Sequence, residues 1–586
     1  MATTPYFGRG CVPIVLLMIA VGVVAGAGIG YWIFALYKPA AAAEGDLAST
    51  ATVTTATAPT PTRWTRITSP VTPTPTSTHR PATAAVPCVK RSFGFDSFVC
   101  VCNSTYCDTL PQVQPAALGR ALVYTTTKAE LRFEREELAF TRPVDGDDTQ
   151  TLTVNRSQTY QSVYGFGGAF TDAFGINLVA LPAKAQELLL RSYFSPDGLE
   201  YNMGRVPIGG TDFSTRAYTY ADNSTTKTLS SFALQTEDFV YKIPVIKRAT
   251  KMRKEEPNNR DDLLLFSSIW SPPSWMKTSN DLSGFGRLKK EFYQMYADYF
   301  VRFLEAYEAQ GISFHCVSTG NEPLNGIVPF KYFNSLGWVP GELSQWIRDH
   351  FGPTIRKSKF KDVKLLGHDD QRILLPWELK WELADKVTSS YIDIIGYHWY
   401  LNFITPSSIL DSVHNLWPDK PIINTEACNG DKPWQFTRVE PGSWGRGEMY
   451  MADIIEVMNH WTTGWMDWNL ALNREGGPTW AKNWVDAPII VDANRGEFYK
   501  SPTYYALAHV AKFVPRNSVR VSLQSAGGNF LSGTVQHVAF LRPDGGVVVA
   551  LVNKHNSVHR VTVRDPSRGE VTLSVPAKSF VTVVYW

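Results

Sequence analysis

From Tyr164 onward, short apolar runs alternate with longer segments in which apolar residues recur every three or four positions. Eight of the short runs read as strands, ending near Gly167, Ile208, Trp270, Glu322, Asp370, Trp399, Glu426 and Asn469. The clearest helix places Phe292, Met295, Tyr296, Tyr299, Phe300, Phe303, Leu304 and Tyr307 on one face, the spacing of a helix that buries one stripe. Further helices fit 183–193, 236–252, 342–350 and 447–461. Strands that alternate with helices predict a parallel sheet, and eight such repeats over about 300 residues predict a closed (β/α)8 barrel. A doubly wound open sheet is the alternative, but no GxGxxG loop opens it. Gly165-Phe166-Gly167-Gly168 has the wrong spacing and reads as a tight turn.

Both flanks of the barrel have a different rhythm. Arg520-Val521-Ser522-Leu523 and the runs 535–541, 547–552, 561–563 and 581–585 are short and β-rich, with a hairpin turn at Pro543-Asp544-Gly545-Gly546. Ala121 to Val154 alternates as well. A β-sandwich is therefore expected from 116–160 plus 517–586, around a barrel at 161–516. At the other end, no charge interrupts the chain from Cys11 to Tyr37. Such a length can span a bilayer as a signal anchor, with residues 1–10 in the cytoplasm as in a single-pass type II protein. The alternative is a signal peptide cleaved after Ala25-Gly26-Ala27. Either places the bulk of the protein in the lumen of the secretory pathway. Residues 38–86 are rich in Thr, Ser and Pro and read as a disordered stalk open to O-glycosylation.

Composition sharpens this only in places. A net charge of +3 across 586 residues carries no nucleic-acid signature. Cys88, Cys100, Cys102 and Cys107 crowd one short β segment at 88–115, so two disulfides are expected, in any of three connectivities. A zinc site competes poorly, because the cluster has no CxxC pair and no His. Asn103, Asn155 and Asn223 begin glycosylation sequons that suit a lumenal chain. Aromatic residues reach 13%. They serve a large core or the apolar faces of sugar rings, and composition does not separate these uses.

The candidate chemistry lies at two strand ends. Glu322 and Glu426 each stand where an apolar run gives way to small or polar residues, on the fourth and seventh strands. Carboxylates at C-terminal strand ends are what a barrel enzyme uses for acid–base and nucleophilic work. Pro323 biases Glu322 away from helix, and Asn321 can donate to a sugar hydroxyl. Either glutamate alone reads equally well as a loop residue; the pair points to catalysis. Trp270 and Trp275, His398-Trp399-Tyr400, Trp465 to Asn469, and Asp212-Phe213 add rings and polar groups at other strand ends. Each alone suits core packing. Their recurrence around the barrel points to a carbohydrate cleft.

Several motifs occur in an order that is itself informative. They are Cys88…Cys100-Val101-Cys102-Asn103…Cys107, Gly165-Phe166-Gly167-Gly168-Ala169, Gly320-Asn321-Glu322-Pro323 and Asp369-Asp370-Gln371-Arg372. His398-Trp399-Tyr400, Thr425-Glu426-Ala427-Cys428, Asp467-Trp468-Asn469-Leu470-Ala471-Leu472-Asn473 and Pro488-Ile489-Ile490-Val491-Asp492 follow. From about residue 88 to the C-terminus the chain resembles the acid β-glucosidases (glucosylceramidases) of glycoside hydrolase family 30. The resemblance implies a lysosomal, retaining β-glucosidase that cleaves glucosylceramide at a membrane surface. Glu322 would be the general acid/base and Glu426 the nucleophile. Asp212, Phe213, Trp270, Asn321, Phe333, Trp399, Trp468 and Asn483 would line the glucose subsite, with Tyr400 beside the nucleophile. It also implies disulfides Cys88–Cys100 and Cys102–Cys107, no metal or other cofactor, and stimulation by a saposin-type activator and anionic lipid. Another β-glycoside, such as a steryl glucoside or a glucan, is the alternative substrate, and an inactive membrane-anchored carbohydrate-binding protein the alternative role.

In the implied mechanism two carboxyls about 5 Å apart divide the work, one attacking the anomeric carbon while the other protonates the leaving oxygen. The negative charge of Glu426 is expected to hold a proton on Glu322 at acidic pH. Two departures from the family pattern stand out. Lys331 replaces an aromatic residue at the cleft mouth, and Gly320 replaces an acidic residue before Asn321. The anchor and stalk are also unexpected in a soluble lysosomal hydrolase.

Overall fold

The computed structural model describes residues 85–142, 149–224, 226–255, 261–328, 332–528 and 533–586. The apolar run at 11–37, the Thr/Pro stretch as far as residue 84, and Lys331 lie outside the described residues. Among the described residues no helix is long and apolar enough to cross a membrane.

Eight parallel strands close into a barrel: β1 (Gly165–Ala169), β2 (Met203–Ile208), β3 (Leu264–Ile269), β4 (Cys316–Ser318), β5 (Lys364–Gln371), β6 (Ile394–His398), β7 (Ile422–Glu426) and β8 (Thr462–Asn469). Neighbours pair in sequence order, and β8 closes onto β1 through Gly464 to Asn469 against Gly165 to Ala169. All eight expected runs are barrel strands. The glycine-rich segment is the correction: Gly165-Phe166-Gly167-Gly168 is part of β1 and not a tight turn. Its glycines answer crowding inside the sheet, since a Cβ on Gly167 would lie 2.1 Å from the Met203 carbonyl oxygen. The long aromatic helix spans Tyr293–Glu308, as its periodicity requires. Other helices cover Ala183–Phe194, Ile243–Glu255, Pro340–Trp346 and Trp444–Asn459. The basic residues after 247, expected in a solvated connector, therefore belong largely to a helix. Helices Asp172–Val179, Leu375–Glu382 and Ser408–Leu416 carry weaker periodicity and were not expected.

The barrel lumen is layered. Met203, Phe266, Cys316, Leu366, Ile394, Ile423 and Met466, one from each of β2 to β8, form an apolar plug. Because strand side chains alternate, two residues further along the same strands bring Arg205, Ser268, Ser318, Thr425 and Trp468 to the next level. The lumen thus turns polar toward the C-terminal ends of the strands. On β5 the alternation is broken. A bulge between His368 and Asp370, with φ of 70° at His368 and 55° at Asp369, sends the His368 ring to Glu378 on the outer helix, 3.1 Å away. Asp369 is delivered inward in its place.

Strands from both ends of the chain form one nine-stranded sheet. Its order is Gly569–Val575, His559–Asp565, Gln150–Ser162, Val519–Ala526, Gln536–Leu541, Val547–Asn553, Ser579–Tyr585, Arg120–Thr127 and Glu134–Ala139. The sheet buries both faces. Val547, Val549, Leu551, Val581 and Val583 belong to its own core, whereas Val548, Ala550, Phe580 and Val584 join the large core that also holds Trp444 and Tyr505. Double burial explains why these strands read as continuous apolar runs. A third, five-stranded sheet joins Lys90–Arg91 and Val99–Cys102 to Glu497–Lys500, Ile489–Asp492 and Ala471–Asn473. Disulfides Cys88–Cys100 and Cys102–Cys107 cross-link its outer end, which removes the zinc alternative by consuming all four thiols.

Candidate active site

Glu322 and Glu426 meet at the C-terminal mouth of the barrel, and both are buried. Glu426 is the last residue of β7. Glu322 sits four residues past β4, after Gly320 at φ 152° and itself at φ 44°. Its amide donates to the Asp369 carbonyl at 3.0 Å, which docks this turn onto β5. One carboxylate oxygen from each glutamate and one ring nitrogen of His398 all lie within 4.8 Å of one another.

The two carboxylates have different surroundings. Glu426 Oε2 pairs with Arg205 Nη1, and Tyr400 donates its hydroxyl to Glu426 Oε1 at 2.5 Å. Glu322 Oε1 accepts from Gln371 Nε2 at 2.8 Å and lies 3.0 Å from His398 Nδ1. Its other oxygen accepts from the Asn325 side-chain amide. One glutamate is thus held by a guanidinium and a phenol, the other by two amides and an imidazole.

Asp369 ties these supports together. It accepts from Ser268 at 2.8 Å, Ser318 at 2.7 Å and Thr425 at 2.6 Å. It also meets Arg205 Nη2 at 3.1 Å and His398 Nε2 at 3.3 Å. Arg205 reaches Asn321 Oδ1 as well, at 2.8 Å. Burial alone would push the Asp369 carboxyl up, but Arg205 and His398 hold it well below the usual carboxylate range. Burial likewise works against charge on His398, yet Glu426, Asp369 and Glu322 push it up to about 10, so it is an imidazolium. Asp370 faces the other way. Burial, reinforced by Glu322 and Glu378, pushes it up to about 7.

Among the expected sugar-binding residues, Phe213, Trp270, Phe333 and Trp468 share one cluster, with Tyr400 packed against it. Trp270 and Trp468 stack with centroids 5.1 Å apart, and the Arg205 guanidinium lies 5.1 Å from the Trp270 ring centre. Asp212 is buried, and the exposed Asn483 donates to its Oδ2 at 2.8 Å. Asn321 is buried beside Arg205. Trp399 stands apart: its indole N–H donates to the Cys428 carbonyl at 2.9 Å and its ring packs edge-on to Tyr450 in the main core. Trp275 packs against Phe292 and belongs to the core. Of the sequons, Asn223 is exposed, and Asn103 and Asn155 are half-buried.

Arg205, Asp369, His398, Gln371 and Asn325 were not singled out as site residues. A signal existed for Arg205, a cation in the apolar strand Met203–Ile208. For Asp369 strict alternation points to the wrong neighbour. Glu322, His398 and Glu426 have the donor types of a metal site. However, charged His398 and Arg205 already supply the positive charge there, and both ring nitrogens of His398 face carboxylates. The set is balanced without a cation.

The description "Glycosyl hydrolase family 30 TIM-barrel domain" matches residues 163–514, and "Glycosyl hydrolase family 30 beta sandwich domain" matches 517–583. The chain is 42% identical to lysosomal acid glucosylceramidase of Mus musculus over 512 residues, covering 86% of this chain and 96% of that protein. It is 39% identical to putative glucosylceramidase 4 of Caenorhabditis elegans over 511 residues, covering 86% and 95%. Among solved structures, SrfJ from Salmonella typhimurium superposes with a TM-score of 0.71 at 24% identity, over 80% of this chain and 99% of that one. At that identity the likeness is one of fold.

Proposed function

The chain belongs to glycosyl hydrolase family 30, and from that premise we propose that this glycosidase is a retaining β-glucosidase that hydrolyses glucosylceramide to glucose and ceramide. Glu426 attacks the anomeric carbon while Glu322 protonates the ceramide oxygen. Water, activated by Glu322, then releases glucose from Glu426. The observation that carries this reading is the approach of the two carboxylates, with one oxygen of each within 4.8 Å of the other. Carboxyls about 5 to 5.5 Å apart suit direct attack, whereas inversion needs roughly 6.5 Å or more to admit a water between them.

The surroundings match the division of labour. Arg205 and Tyr400 aim two donors at Glu426, which holds the nucleophile ionised and oriented. Glu322 has partners around both oxygens, as a group that must alternately carry and lose a proton requires. The Trp270–Trp468 stack offers an apolar wall to a sugar ring, and Asp212 with Asn483 offers polar groups to its hydroxyls. The relatives named as glucosylceramidases support glucosylceramide as the substrate and the lysosome as the compartment. In this reading the segment at 11–37 holds the enzyme at the lumenal membrane face, where a saposin-type protein and anionic lipid assist access.

A mechanism-based fluoroglucoside inactivator followed by peptide mapping tests the assignment. A covalent label on Glu426 is expected, together with release of the β-anomer of glucose as first product. Label on another residue, or an inverted product, would overturn it.

A further inference from the structure

A group that alternates between acid and base needs neighbours that can change roles with it. Arginine and imidazolium only donate, and a carboxylate only accepts. A primary amide presents a donor at one end and an acceptor at the other, so half a turn exchanges them.

Gln371 is placed for that exchange. Its Nε2 donates to Glu322 Oε1 at 2.8 Å, while its Oε1 is buried without a hydrogen-bond partner among the described residues. An idle buried acceptor carries a desolvation cost, which a half-turn relieves once Glu322 has a proton to offer. The backbone is pinned meanwhile. Asp370 Oδ1 accepts from the Gln371 amide at 2.7 Å, and its Oδ2 accepts from the Leu324 amide at 3.1 Å. One carboxylate therefore fixes the spacing between Gln371 and the turn that carries Glu322. Only the side-chain amide is left free to turn.

We propose that Gln371 is a positioning residue that follows the proton on Glu322, accepting from the carboxylic acid before cleavage and donating to the carboxylate during hydrolysis of the intermediate. Other charged groups face Glu322 from the neighbouring strands: His398 from β6, Glu426 from β7, Asp370 from β5 and, beyond Glu426, Arg205 from β2. None of them can both give and take a hydrogen bond in a fixed charge state. The inference rests on the retaining reading above.

Gln371→Glu keeps the shape and changes the chemistry. While protonated, the new carboxyl can serve either role; once ionised it can only accept. The acid step is therefore expected to survive, with the alkaline limb of kcat/KM moved to higher pH. The base step should fall about ten- to a hundredfold as pH rises, the worth of a charge-assisted hydrogen bond. An activated aryl glucoside should then accumulate glucosyl-enzyme, and azide, which needs no general base, should restore turnover. Gln371→Met, with neither donor nor acceptor, should slow both steps. An unmoved alkaline limb in Gln371→Glu, or a loss that azide does not relieve, overturns the proposal. Labelling of the wild type at Glu426 is the control, since its failure would instead remove the retaining reading.

Discussion

Arg205 and Glu426 form an ion pair inside the barrel from strands that are not neighbours, with side-chain exposures of 2% and 7%. Arg205 uses its second nitrogen for Asp369 and Asn321, so one guanidinium holds the nucleophile, the central aspartate and the asparagine beside the acid/base. Replacing it by Met leaves two carboxylates buried without their cation. The expected cost is about 3–5 kcal/mol, read by chemical denaturation. A loss below ~1 kcal/mol would show that the pair is not a structural support.

The two glutamates are separable by leaving group. Glu426→Gln should abolish turnover of every substrate. Glu322→Gln should reduce cleavage of glucosylceramide by about 10²- to 10⁴-fold, the usual worth of a general acid. The first step on a dinitrophenyl glucoside, whose leaving group needs no proton, should be largely spared. Pre-steady-state rates on the two substrates check this, and equal losses on both would reverse the roles.

Several buried groups make the fold acid-tolerant. His398 is raised from 6.5 to about 10, so its contribution is complete below about pH 6.5 and is lost as pH rises through about 10. Burial likewise raises Asp370 from 3.8 to about 7 and Glu382 from 4.5 to about 7. The folded state binds these protons more tightly, so their contribution is complete below about pH 4 and lost as pH rises through about 7. Asp369 has the opposite sign, with a contribution complete above 3.8 and lost on further acidification. Melting temperature should therefore peak near pH 4–5 and fall toward pH ~8. Glu382→Gln, which replaces a buried acid by a neutral isostere, should raise Tm near pH 8 and leave it almost unchanged near pH 4. A rise in wild-type Tm between these pH values would contradict the assignment.

The disulfide Cys88–Cys100 closes a loop with a sequence separation of 12 at the outer end of the five-stranded sheet. The double substitution to Ser should cost roughly 3 kcal/mol, chiefly through a freer unfolded chain. Comparing urea midpoints measures it, and no change would mean that the strand pairing alone holds that end.

The linear chain determined the barrel, its strand ends and the two catalytic candidates, because these depend on local rules. Alternating strand and helix periods admit few topologies, and a carboxylate after an apolar run marks a strand mouth. Tertiary structure decided what those rules could not. Gly165 to Gly168 looks like a turn locally, and only the crowding by Met203 and Asn202 makes it a strand. On β5, alternation would have sent His368 into the lumen; the bulge puts Asp369 there, among hydroxyls from β3, β4 and β7. Arg205, His398 and Gln371 acquire their roles only from partners that lie 29 to 221 residues away along the chain. A network closed by long-range hydrogen bonds leaves no periodic trace, so only the folded barrel could reveal it.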